Sequence, residues 1–197
     1  MMNKESSKIS LIGKGIEGIF STFPNYFRIF IIIIVLIAIL FLLPVKVLIA
    51  SNYKTDEYIK SWKVRDGDSF TVEYTHSVQL TTVTETYIID GENIILLESY
   101  FHSLGAGLPA TTPYKFEITE KGFRIYDINE NMEYLVYRTG AERANHKLIL
   151  KNKVYNFLDF SNPRTGVKLN MGKMALLSYL IKEGFNWTIK VGLQNLM

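Results

Sequence analysis

Ile29 to Leu43 is an unbroken run of fifteen apolar residues, and no charge interrupts the chain between Arg28 and Lys46. A bilayer core of roughly 30 Å takes about 20 helical residues at 1.5 Å each. Residues 28–50 reach that length if Lys46 snorkels toward the headgroups. The run therefore predicts a single transmembrane helix over 28–50. A buried soluble helix is the competing reading of so short a run. The flanking Tyr26, Arg28 and Lys46 and the further apolar residues to Ala50 favour the bilayer. Leu48-Ile49-Ala50 is a poor cleavage triplet, so an uncleaved signal anchor is expected rather than a removed signal peptide.

Charge gives two answers about orientation. Lys14 and Arg28 precede the helix, whereas Lys46, Lys54, Lys60, Lys63 and Arg65 follow it. Counted literally, these bases would hold the C-terminal part inside. The rule governs short loops, and long domains translocate largely regardless of charge. The expectation is a cytoplasmic N-terminus and an extracytoplasmic C-terminal domain at the cell membrane. Within the tail, residues 1–27, Ile9, Ile12, Ile16, Ile19, Phe20 and Phe23 recur at helical spacing. They fit either an interfacial amphipathic helix or a tail weakened by Gly13, Gly15 and Gly18.

The net charge of +3 is a membrane-proximal feature, because residues 51–197 carry as many acids as bases. A neutral domain lacks the basic stripe that nucleic acid requires. The absence of cysteine excludes disulfides, thiolate metal sites and a cysteine nucleophile. No cofactor motif is present.

Beyond 51–65, read as a connector, residues 66–197 alternate at period two. Phe70, Val72, Tyr74 and His76 interleave with Thr71, Glu73, Thr75 and Ser77. Val83, Glu85, Tyr87 and Ile89 share one side of Thr82–Ile89, and Asp90-Gly91-Glu92-Asn93 turns into Ile94–Tyr100. Further strands are expected over 114–119, 123–128, 134–139, 147–151, 154–160 and 186–191. Met174, Leu177, Leu180 and Ile181 predict a helix over 172–183, capped by Asn170 and stopped by Gly184. The fold class is mainly β: an antiparallel β-sandwich or barrel with one late α-helix, preceded by the membrane helix.

Three places carry possible chemistry. His76 ends one strand and Glu85 lies in the next, so a hairpin would bring them together, with Ser77 as a weak nucleophile candidate. Adjacent strand residues point to opposite faces, which separates Ser77 from His76 unless the strand ends there. The alternative is a histidine whose hydrogen bond fixes a loop. Gly105-Ala106-Gly107-Leu108-Pro109 permits backbone angles that let successive N–H groups face an anion, or it is a tight turn. The histidines His76, His102 and His146 show no short ligand spacing, and no metal is expected. His146, beside Asn145, could line the same end of the sandwich.

Taken together in this order, Tyr74-Thr75-His76-Ser77-Val78, Glu85-Thr86-Tyr87 and Gly105-Ala106-Gly107-Leu108-Pro109 resemble the domain-of-unknown-function 1850 family. The resemblance covers about residues 66–191. It implies a small membrane-anchored or exported domain of the kind often encoded beside TAXI-type TRAP transporters. It carries no catalytic residues over. Its signature positions here are His76, Ser77, Glu85, Gly105, Gly107 and Pro109, and these are the candidate binding residues. The leading expectation is an accessory that binds a transporter subunit, a solute-binding protein or a small anionic solute. The alternatives are a membrane-tethered hydrolase using His76 and Glu85, and a structural envelope protein.

Overall fold

The computed structural model describes residues 24–103, 111–120, 122–140 and 143–184. They fall into two units. One holds the apolar helix and Ala175–Leu177; the other runs from Pro44 to Met174 and resumes at Ser178.

Helix α1, Asn25–Leu42, has no buried residue. It is long and apolar enough to cross a bilayer, a property shared by membrane anchors and signal peptides. Residues 44–50 do not extend it. They form the first part of strand β1, Pro44–Asn52. Val47, Leu48 and Ala50 of that strand are fully buried. A continuous apolar run suits a strand covered on both faces as well as a helix in lipid, which is why the sequence extended the helix too far. The stretch 51–65, expected as a connector with some extended structure, contains β2, Tyr58–Lys63, paired antiparallel with β1.

The remaining strands are β3 (Ser69–Thr75), β4 (Thr82–Asp90), β5 (Asn93–Phe101), β6 (Lys115–Thr119), β7 (Gly122–Met132), β8 (Tyr134–Arg138), β9 (Lys147–Leu150), β10 (Lys153–Asn156) and β11 (Gly166–Ala175). A 3-10 turn, Phe157–Asp159, follows β10. The order β2-β1-β11-β8 makes a four-stranded sheet, and β10-β9-β3-β4-β5-β7-β6 a seven-stranded one. The main core combines Leu48, Ala50, Leu135, Val167 and Leu169 of the first sheet with Phe70, Val72, Ile89, Ile94, Leu148 and Leu150 of the second. The architecture is thus the antiparallel sandwich that the alternation predicts.

The late helix starts later than the sequence predicts. Residues 166–175 form β11, and the helix occupies 176–184, to the last described residue of that segment. Asn170 is a strand residue paired with Tyr134, so it caps nothing. The helix is held to β2 by Glu183, which accepts from the Tyr58 hydroxyl at 2.9 Å, the Ser61 amide at 3.0 Å and Lys60 Nζ at 2.9 Å. The strand expected over 186–191 lies outside the described residues.

The seven-stranded sheet is irregular at its centre. The β4–β5 register shifts between Thr86 and Tyr87, and the β5–β7 register between Leu96 and Glu98. Asp127 and Asn129 of β7 take left-handed backbone there, which Asn and Asp tolerate better than most residues. Beyond these bulges, Val83, Phe101, Ile125 and Ile128 form a second, smaller cluster. Gly122, at φ +146°, closes it: an added Cβ would lie 2.5 Å from the Phe101 carbonyl oxygen.

Candidate functional site

The site follows from one departure from the apolar pattern of β4. Val83, Tyr87 and Ile89 are buried, and Glu85 shares their face, opposite the buried Val72 of β3. Alternation therefore turns a carboxylate toward the interior. Such a group is costly to desolvate unless it accepts hydrogen bonds. Tyrosines supply them. The Tyr137 hydroxyl, from β8 in the opposite sheet, donates to Glu85 Oε2 at 2.5 Å. The Tyr87 hydroxyl lies 3.2 Å from the same oxygen and 2.7 Å from the Tyr137 hydroxyl. Each hydroxyl has one proton, so Tyr137 serves Glu85 while Tyr87 donates to either neighbour. Burial first, and then the nearby Glu85 charge, pushes the pKa values of Tyr74, Tyr87 and Tyr137 above the ordinary tyrosine value. These phenols stay protonated and act as donors.

His146 adjoins this cluster just before β9. Its ring stacks on Tyr74 at 5.3 Å and lies 5.9 Å from Tyr137 and 5.5 Å from Phe157. It is only 9 % exposed, and among the described residues its Nδ1 has no hydrogen-bond partner. Burial lowers its pKa from 6.5 to about 4, so the ring is neutral near pH 7.

These groups line one cavity of about 810 Å³. Tyr74, Tyr87, Glu85, Tyr137 and His146 contribute to its wall, with Leu135 and Met132 as apolar lining. His76 and Ser77 from the β3–β4 loop line it too, as do the exposed Arg138 and Arg164. That volume accommodates a small solute.

Of the residues singled out from sequence, His76, Ser77, Glu85 and His146 share this cavity. Gly105, Gly107 and Pro109 lie outside the described residues. His76 Nδ1 faces the backbone N–H groups of Val78 at 3.3 Å and Gln79 at 3.2 Å, accepting from both. Its proton therefore resides on Nε2. The His76 amide also donates to the Thr81 carbonyl oxygen at 2.8 Å, closing the loop. Among the described residues, no hydrogen bond joins His76 to Glu85 or to Ser77, so no nucleophile, base and orienting acid are linked in series. His102 is elsewhere, with Nδ1 2.9 Å from the Thr82 carbonyl oxygen. Among the described residues, no group of three or more His, Asp or Glu is placed to hold a metal ion.

Sequence reasoning put Glu85 and Tyr87 on one strand face but missed Tyr137, Arg138 and Arg164. Tyr137 sits two residues from Leu135 on an alternating strand, so its inward direction was readable. Its meeting with Glu85 was not, because 52 positions separate them.

Fold and site together define a two-sheet antiparallel β domain with a hydroxyl-rich cavity open to solvent, preceded by an apolar helix. Residues 70–157 match the sequence model of the family described as Domain of unknown function (DUF1850), so this stretch is a DUF1850 domain. The match runs from β3 to the 3-10 turn and includes Glu85, its tyrosines and His146. Comparison with curated proteins and with solved structures gives no match.

Proposed function

We propose that the β domain is a non-enzymatic solute-binding module, held at the outer face of the cell membrane by its N-terminal helix. The observation that carries this is the cavity itself, into whose wall a buried histidine is set with a ring nitrogen that has no partner among the described residues. A buried polar atom without a partner is costly, and a ligand atom in the cavity would remove that cost. Binding is favoured over hydrolysis because His76 Nδ1 already accepts two backbone N–H groups. The family resemblance adds a finer reading, an accessory of a TAXI-type TRAP transporter. Tethering beside such a transporter would make weak contacts with its subunits or its solute-binding protein sufficient.

Two measurements test this. Amino acids, short carboxylates and alkylammonium salts are titrated by calorimetry into the full-length chain in lipid nanodiscs. At least one should bind, and Tyr137→Phe should weaken it. If the folded chain binds none of them, the solute-binding reading falls. Crosslinking in intact membranes should recover transporter subunits; an abundant, intact protein that captures none removes the transporter reading.

A further inference from the structure

We propose that the solute is a zwitterion, entering with its ammonium group toward Glu85 and leaving its carboxylate at Arg138 and Arg164. This rests on the solute-binding reading above and names the ligand class.

The argument begins with a missing charge. Nine other carboxylates among the described residues of the β domain have cations, five of them as follows. Glu73 pairs with Lys147 at 2.8 Å, Asp68 with Lys151 at 2.9 Å and Glu183 with Lys60 at 2.9 Å; Glu98 pairs with Arg124, and Asp66 with Lys46. Glu85 is on the inner face, and among the described residues it forms no ion pair. Tyrosine hydroxyls offer it dipoles but no charge. In a medium of low dielectric, an inward carboxylate gains most from a cation at contact distance. Tyr87 and Tyr137 both bond Oε2 and Tyr74 also bonds the carboxylate, but two carboxylate oxygens offer about four acceptor sites, so capacity remains for an ammonium.

The surroundings suit the same ligand group. Tyr74 and Tyr137, with ring centroids 6.0 Å apart, both line the cavity. Tyrosine rings attract alkylammonium ions through their quadrupoles, more strongly where water is displaced. His146 is neutral near pH 7 and does not repel a cation. At the exposed side, Arg138 and Arg164 have no ion pair among the described residues, and guanidinium forks suit a carboxylate. An amino acid whose length matches the separation of the two ends would satisfy both at once. A simple anion satisfies only the arginines and would meet the Glu85 charge if it went deeper.

The test uses three probes of similar length: 4-aminobutyrate, butylammonium and butyrate. Each is titrated into the full-length chain in phosphatidylcholine nanodiscs. The expected ranking is 4-aminobutyrate first, butylammonium second and butyrate last. Glu85→Gln should weaken the two ammonium probes at least about tenfold and leave butyrate unchanged or tighter. Butyrate binding as tightly as 4-aminobutyrate, or ammonium binding indifferent to Glu85→Gln, overturns the inference and leaves the solute-binding reading standing. Binding of other solutes from the wider panel without any of the three ends it likewise. If nothing in the panel binds, both readings fall. The ranking on the unsubstituted chain decides the matter even where the variant does not fold.

Discussion

Two halves of one inner face follow different rules. At one end of β3, β4 and β9, Phe70, Ile89 and Leu150 pack against Leu48, Val167 and Leu169 with no side-chain polar atom among them. A few residues along the same strands, the side chains become Tyr74, Glu85 and His146, with Tyr137 opposite. The apolar half needs only volume and close packing. The polar half needs every donor and acceptor matched; among the described residues His146 Nδ1 is not, and neither is Trp62 Nε1 in the main core. The contrast teaches where stability and function reside: packing holds the sheets together at one end, and the polar groups at the other leave room for a ligand.

The largest effect should come from the apolar half. Phe70→Ala removes a buried ring stacked 5.1 Å from Tyr87 and is expected to cost about 3–5 kcal/mol in denaturant unfolding. A loss below about 1 kcal/mol would show that this half is not the stabilising one.

Acid should act next, and as the pH first drops below 6.5 it acts through His146 in the polar half, before the ion-paired carboxylates are protonated. The folded His146 pKa, about 4, lies below the unfolded 6.5, so the unfolded chain takes up the proton first. The sign follows: stability is unaffected above pH 6.5, falls as the pH drops toward 4 and levels off below. The full difference is roughly 3 kcal/mol. His146→Phe should flatten that limb in melts recorded across pH 4–7, and an unchanged slope would assign the acid sensitivity to other groups.

Tyr137→Phe keeps the ring and removes the bond to Glu85. Hydrogen bonds to charged groups contribute about 1.5–3 kcal/mol, so a loss near the lower end is expected, read from the urea midpoint. A gain in stability would sharpen the comparison, by showing that the polar half is maintained against stability. The smallest effect belongs to the outer surface. Lys147→Met breaks the part-exposed pair with Glu73 and should change stability by less than about 1 kcal/mol, and less again in high salt.

Period-two alternation placed β3, β4, β5 and most of the later strands from sequence, because a half-covered sheet imposes that period directly. It failed at β1 and β11. Val47 to Ala50 is apolar on both faces and, once Lys46 is taken to snorkel, reads as more membrane helix. Met174, Leu177, Leu180 and Ile181 carry a helical period that hid the strand ending at Ala175. Both are inner strands of the four-stranded sheet, neighbours of each other though far apart in the chain. No local pattern reports such a pairing.

From residue order alone came the apolar helix, the alternating strands and the inward Glu85, since spacing along the backbone dictates which way a side chain points. The partners of that carboxylate were settled by packing one sheet on the other. Tyr137 reaches it across the sandwich, and His146 stacks on Tyr74 from the loop before β9, because contact in the interior depends on where distant segments meet.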